Sequence, residues 1–587
     1  MVLNSICSIV KKAPHGRLFY AQCLAALALL FWIFSWLIPS HYLPWVVFEN
    51  ELSAFVSLGF AVAALLVRGG AGVKNNPYFN IGVVLLLTIF AQYFYGLITI
   101  QVLGLGYAYI SAFAVAAIVG ENYKYWFEDL EAEVGVFYIL LVLSAILLSA
   151  CIVVAQWLGV EREFPSLMAE AGGSRSFGNL GQPNNQGTLL ATGVLLVDLL
   201  RRRKILTFVS CTFFLLLLIS ALAMTSSRTA ILSAVLGAMV LLFLDKNIRN
   251  RLFTVGWFFS LPILYVAIPW LKKNLMCANE MVDIRIIESL SESPRLAIYA
   301  QLLKIIPNAP FVGYGWMQAA YAQSISASMH YVGFETNYGH NVILDIILWF
   351  GIPFGVILVL WFACVLKDDI RASDDMRRLA YIIFIPFVLH SFLEFPFAYS
   401  FFLISFAFVL GYLRAAESYQ LDGSRIRKGL TNAILFFVGT GMVVIGLLIA
   451  NDYMRLAEDF RILRFNSKNI GKIPDGFILT SPLILLDMRN SFEVFQYVPG
   501  PGVTPKMLAK IKYAALQEHW PSANLKLISQ HIVDRNMDDA IREYMRFKNL
   551  YSPSIVKWGK EALAEPYCDS KSRYAELENF CQLVGSR

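Results

Sequence analysis

Apolar runs of about eighteen residues or more recur along this chain from near residue 18 to near residue 450, and each is long enough to cross a hydrocarbon core about 30 Å thick as a helix. Inside a bilayer no water is available to satisfy the backbone, so an open chain of such runs must fold as helices. The composition agrees: 58% of residues are hydrophobic and 15% charged, with a mean hydropathy of +0.60. Soluble globular chains carry about 45–50% apolar and about 25% charged residues. The expected fold is all-α: a polytopic membrane protein.

These runs, with shorter apolar ones among them, fall at residues 18–38, 52–67, 79–99, 103–119, 134–158, 187–200, 205–224, 229–244, 252–270, 342–366, 379–393, 397–413 and 430–450. This gives about 12–13 spans. The first run is long and lacks a small-residue cleavage site, so it is expected to be a retained span. The net charge of +7 does not point to nucleic acid, because the basic residues cluster at the ends of apolar runs. Lys11, Lys12 and Arg17 precede the first span and place the amino terminus in the cytoplasm. Counting from there, Arg68/Lys74, Arg201–Lys204, Lys246/Arg249/Arg251, Lys367–Arg378 and Arg414–Lys428 all fall inside. Lys272 and Lys273 fall outside, at the start of a loop long enough to translocate regardless of charge.

Two domains follow. Residues 1–450 form the transmembrane core with its outer loop 271–340, and residues 451–587 form a soluble tail, placed outside by the parity of thirteen spans. The tail shows helical patterns at Thr504–Glu518, Ala523–Arg535 and Met537–Lys548, suggesting paired helices resembling tetratricopeptide units. Its Cys568 and Cys581 are either a bridge formed in an oxidising compartment or two thiols.

The polar residues of interest gather on the outer side. Arg175 lies in SRSFGNLGQPNNQG, where a guanidinium can hold phosphate oxygens bidentately and glycines allow close backbone approach. Gln182, Asn184 and Asn185 of the same stretch can hydrogen-bond sugar hydroxyls; an ordinary outer loop is the alternative. Arg228 occupies the short TSSRT turn between two apolar runs, where a charge either snorkels or serves a polar cavity. In the long loop, Ser293 is a fair N-cap, Pro294 suits the first helical position and Pro307 stops the helix. Leu296, Tyr299, Leu303 and Ile306 recur on that helix at helical spacing, a stripe suited to the membrane surface or the bundle. Arg295 at its start opposes the macrodipole, unless an anion binds the same terminus.

His340 ends the long loop in YGHNVILDIILWFGIPFG, where a neutral imidazole can accept a proton from an attacking hydroxyl or serve structure alone. Asp345 is an acid one turn deeper, and its offset of five does not align it with His340 on one helix face. His390 and Glu394 in HSFLEFPFAYS are four apart, a polar pair with Tyr399 nearby, and two ligands are too few for a metal. No metal site and no cofactor is expected: the chain has no Walker A, Gly-x-Ser-x-Gly or His-Glu-x-x-His motif, and SHYLPWVVFENE lacks an Asp-x-Asp.

In order, SRSFGNLGQPNNQGTLL, SSRTA, PRLAIYAQLL with PFVGYGWMQ, GHNVILDIILWFGIPFG and LHSFLEFPFAYSFFL resemble the O-antigen ligase and polymerase superfamily. Within it the chain looks most like the PglL-type bacterial protein O-oligosaccharyltransferases, from about residue 20 to 415. That resemblance implies a multi-pass protein of the bacterial inner membrane with its active site facing the periplasm. Its partners would be an oligosaccharide on undecaprenyl pyrophosphate and an acceptor such as a pilin or another exported protein. Transfer would be metal-independent. Arg228 and Arg295 would take the phosphate role with Arg175 assisting, His340 would activate the acceptor, and His390, Glu394 and Tyr399 match a later motif. The alternatives are an O-antigen ligase or polymerase acting on lipid-linked glycans or, from another class, a lipid-linked glycan flippase. A transporter should show an internal repeat or a broken-helix pair. The polar residues gather at one face instead, which favours an enzyme.

Overall fold

The computed structural model describes residues 16–68, 76–129, 132–171, 175–275, 294–328, 330–414, 425–568 and 577–585. Lys11, Lys12, Lys74 and Ser293, and residues 415–424 between Arg414 and Arg425, lie outside these residues. The described chain is helical throughout, with no strand. In chain order the helices through the first nine apolar runs are α1 Gly16–Leu37, α2 Phe48–Arg68, α3 Pro77–Phe94, α4 Ile100–Asp129, α5 Ala132–Leu158, α6 Pro183–Arg202, α7 Phe208–Met224, α8 Arg228–Leu244 and α9 Ile248–Leu275. Then come α10 Pro294–Ile305, α11 Ala319–Ala327, α12 Val342–Phe350, α13 Ile352–Ala372, α14 Asp375–Ala380, α15 Ile385–Leu393, α16 Ser400–Arg414 and α17 Arg425–Ser467. The tail adds α18 Leu486–Gln496, α19 Pro505–Gln517, α20 Pro521–Val533, α21 Met537–Leu550, α22 Pro553–Leu563 and α23 Leu577–Val584. Among the described residues seven helices are long and apolar enough to cross a membrane. The chain is a polytopic, all-helical membrane protein.

Two compact units can be distinguished. The first comprises the described residues within Met1–Leu87, Tyr107–Ser289 and Phe362–Leu447; the second those within Thr88–Gly106, Leu290–Trp361 and Leu448–Arg587.

The first unit is held by small residues that let helices approach closely, the usual device where lipid removes the hydrophobic drive between spans. A Cβ at Gly411 of α16 would lie 1.9 Å from the Ala117 carbonyl oxygen of α4, and one at Gly120 would lie 1.9 Å from that of Phe408. Hydroxyls tie α1 to α2: Ser53 donates to the Phe31 carbonyl and Ser57 to that of Ala28, each at 2.7 Å. Arg202 carries its charge deep into this unit because Asp198 (3.1 Å) and the Thr254 hydroxyl (2.7 Å) receive it, with Asp245 beside them.

The apolar run 342–366 is not one helix. It breaks at Gly351, whose φ of 83° lies where a β-carbon is strained. The space is also closed, because a Cβ there would sit 2.3 Å from the Phe311 carbonyl oxygen. The long-loop helix α10 starts at Pro294 and gives way to a 3-10 turn at Ile306–Asn308, as its prolines require. Of the expected stripe Ile306 is buried, and Leu296 and Leu303 lie on the outer side. Ile298, Leu302 and Ile305 are inside, whereas Leu296 and Leu303 are 68% and 60% exposed. Apolar residues occur on both sides of this helix, so spacing alone does not say which side packs. In the tail Cys568 and Cys581 are joined in a disulfide with a Cα separation of 5.5 Å.

Candidate functional site

In the first unit the three polar motifs fold onto one another. Arg175 donates from Nε to the Thr225 carbonyl at 2.9 Å and from Nη2 to Asn184 Oδ1 at 3.2 Å, stitching SRSFGN to the TSSRT turn. Ser227 caps α8 through its Oγ, which accepts from the Ala230 amide at 3.3 Å and donates to Asn184 Oδ1 at 2.8 Å. Arg228 is therefore the first residue of α8, its side chain exposed, at a terminus whose backbone amides already favour an anion.

Asn184 passes the arrangement on. Its Nδ2 donates to Glu394 Oε1 at 2.7 Å, and Gln182 Nε2 donates to Glu394 Oε2 at 2.9 Å. Both amides, read from sequence as sugar ligands, thus also hold a carboxylate that is 7% exposed. Asn185 is fully buried. Helix α15 stops at Leu393, one residue short of carrying Glu394, yet His390 Nε2 still lies 3.7 Å from Glu394 Oε2. The other ring nitrogen of His390, Nδ1, is 2.8 Å from the Thr188 hydroxyl. The hydroxyl orients the imidazole, and the carboxylate lies within ion-pair reach of its other nitrogen. Tyr399 stacks on Phe395 and Phe401, at centroid distances of 6.1 and 5.4 Å, behind this group.

In the second unit Asn341 caps α12 with its Oδ1, which accepts from the Ile343 and Leu344 amides at 3.0 and 3.2 Å. The residue before the cap is His340, which has a φ of 52°, the left-handed region that non-glycine residues rarely occupy. Two bonds hold it there. The Gly339 amide donates to Asp345 Oδ1 at 2.6 Å, and the Tyr299 hydroxyl donates to the His340 carbonyl at 2.8 Å. Asp345 is fully buried, and its second oxygen has no hydrogen-bond partner among the described residues. His340 and Asp345 are thus linked through the Gly339 backbone rather than along a helix face. Arg295 is half-buried at the second position of α10, the helix that supplies Tyr299.

Sequence reading missed three of these groups. Ser227 and Asn341 carried a signal, since each is a good cap directly before an apolar helix. Thr188 lies within an apolar run and carried none. Among the described residues no three His, Cys, Asp or Glu side chains gather to hold a metal ion.

Comparison with known proteins bears on this arrangement. A family model described as O-antigen ligase matches residues 213–360, and one described as virulence factor membrane-bound polymerase, C-terminal, matches residues 378–469. The chain is 26% identical over 453 residues to the general O-oligosaccharyltransferase of Acinetobacter baylyi, covering 74% of this chain and 77% of that protein. It is 32% identical over 258 residues to the ComP-specific O-oligosaccharyltransferase of the same organism, covering 42% of this chain and 45% of that protein.

Proposed function

Because the chain belongs to the O-oligosaccharyltransferases of the O-antigen ligase and polymerase superfamily, which are glycosyltransferases, we propose that it transfers an oligosaccharide from undecaprenyl pyrophosphate to serine or threonine hydroxyls of exported proteins such as pilins. The reaction takes place at the periplasmic face of the inner membrane, without a metal ion. The observation that carries this reading is the convergence of Arg175, Asn184 and Ser227 at the start of α8, which sets Arg228 at a helix amino terminus.

In this mechanism the acceptor hydroxyl oxygen attacks the anomeric carbon. The bond from that carbon to the pyrophosphate oxygen breaks, and the configuration inverts in one displacement. Negative charge grows on the leaving pyrophosphate, where Arg228 and Arg295 stabilise it with fixed guanidinium groups, Arg175 assisting. The hydroxyl proton passes to His340, since a serine or threonine is a poor nucleophile until a base accepts it. His390, Glu394 and Tyr399 form the polar floor that fixes Asn184 and thereby the TSSRT turn.

The test is co-expression with a glycan locus and an exported acceptor, read by intact-protein mass. His340→Ala should abolish the glycan-bearing species while the protein stays inserted at normal levels. Normal glycosylation by that variant would exclude His340 as the base.

A further inference from the structure

The long loop and the tail share one core. Ala327 at the end of α11 and Val332 just beyond it are buried in the same apolar cluster as Tyr544, Phe547, Leu550 and Phe580 of the tail. Polar bonds repeat the connection. Asn549 of α21 donates from Nδ2 to the Ala327 carbonyl at 2.8 Å, and its own carbonyl accepts from the Val332 and Gly333 amides at 2.8 and 2.9 Å. At the other end of α11, His519 Nε2 lies 2.7 Å from the Ala320 carbonyl, which can only accept, so Nε2 carries the proton. Burial pushes His519 down to about 4, so the ring is neutral at physiological pH and holds that tautomer.

From α11 the bonds run on to His340. Gln323 is fully buried; it donates to the Phe334 carbonyl at 3.2 Å and to Gln301 Oε1 at 3.1 Å, and accepts from the Thr336 amide at 2.9 Å. The Thr336 hydroxyl donates to the Tyr338 carbonyl at 2.7 Å. The next residue, Gly339, is the one bonded to Asp345, and His340 follows it. No step in this path passes through solvent-exposed side chains alone: Gln301, Gln323 and Thr336 are each under 9% exposed.

We propose that the tail holds the His340 loop in its working conformation, with Asn549 and His519 as positioning residues. The tail is then part of the catalytic apparatus, whatever else it binds. This rests on the reading of His340 as the base.

The test uses the full-length protein in detergent. Asn549→Asp keeps the size of the side chain but turns oxygen toward the Ala327 carbonyl, and His519→Phe keeps a ring while removing the donor. Hydrogen exchange then reports Val332–Gly339 directly, and initial rates with donor and acceptor report transfer. The expected result is exchange at least tenfold faster at Val332, Gly333 and Thr336, with α20 unchanged, and kcat five- to tenfold lower at unchanged donor KM. His519→Gln, which keeps an N–H, should restore much of both. Unchanged exchange in the loop overturns the proposal, and so does faster exchange with normal kcat. His340→Ala run alongside separates the two readings, because full transfer by that variant sinks the base assignment whatever Asn549→Asp does to exchange.

Discussion

Asp345→Ala isolates the bond that holds His340. A non-glycine residue at a φ of 52° costs about 1–2 kcal/mol relative to ordinary backbone. The 2.6 Å bond from the Gly339 amide to a fully buried carboxyl opposes that cost with about 1.5–3 kcal/mol. Without Asp345 the amide is left without its acceptor and the strain is no longer offset. The turn should relax, leaving the present geometry roughly 10- to 100-fold less populated, since each 1.4 kcal/mol is about a factor of ten. Transfer should fall by the same factor in kcat, with donor KM unchanged, because no pyrophosphate contact is touched. Asp345→Asn keeps a carbonyl oxygen that can accept from Gly339, and should stay within about threefold of the parent. The assay is initial-rate transfer by purified protein, with exchange at Gly339 measured in parallel. Wild-type kcat in Asp345→Ala would refute the argument. An Asp345→Asn variant as poor as Asp345→Ala would show that the carboxyl matters for its charge or proton rather than for the turn.

Three further outcomes can be checked. Arg228→Ala and Arg295→Ala should raise donor KM and lower kcat, and the lysine variants should recover only part of the loss because lysine lacks the bidentate fork; full activity in both lysine variants would exclude bidentate recognition. Gly411→Ala should destabilise the first unit by at least about 1–3 kcal/mol in denaturant titrations in mild detergent, because its new carbon would meet the Ala117 carbonyl at 1.9 Å and force two helices apart. Burial pushes Glu518 up to about 8, against the Ser491 hydrogen bond, so the folded tail keeps a proton that the unfolded chain releases near pH 4.5. Stability of α19 against exchange should therefore fall as pH rises from about 4.5 to about 8, by about 1 kcal/mol per unit, and level off above. His519, lowered to about 4 by burial, works in the opposite direction below its ordinary 6.5, so the decline should be plainest between about 6.5 and 8 and absent in Glu518→Gln.

What the chain alone determines here is the solvent, the secondary structure and the list of polar motifs. Apolar runs of membrane-crossing length leave only helices, and α6, α7 and α8 begin within a few residues of their expected starts because Pro183, Thr207 and Ser227 are strong local signals. The candidate residues are legible for the same reason, since an arginine between two spans or a histidine at a loop end is conspicuous against hydrocarbon. Tertiary structure decides what each of them touches. Gln182 and Asn184, expected as sugar ligands, each donate an amide hydrogen to Glu394, more than two hundred residues away, at 2.9 and 2.7 Å. At the Gly351 break the Phe311 carbonyl lies where a β-carbon would be, 2.3 Å from it, and the buried face of α10 is set by which of two apolar sides meets a neighbour. Periodicity records local repeats only, whereas these choices are settled by contacts between residues far apart in the chain. His340 is the clearest case. Its position in the sequence marks it, but its left-handed backbone depends on Asp345, Tyr299 and the bonds running back to Asn549, which only folding brings together.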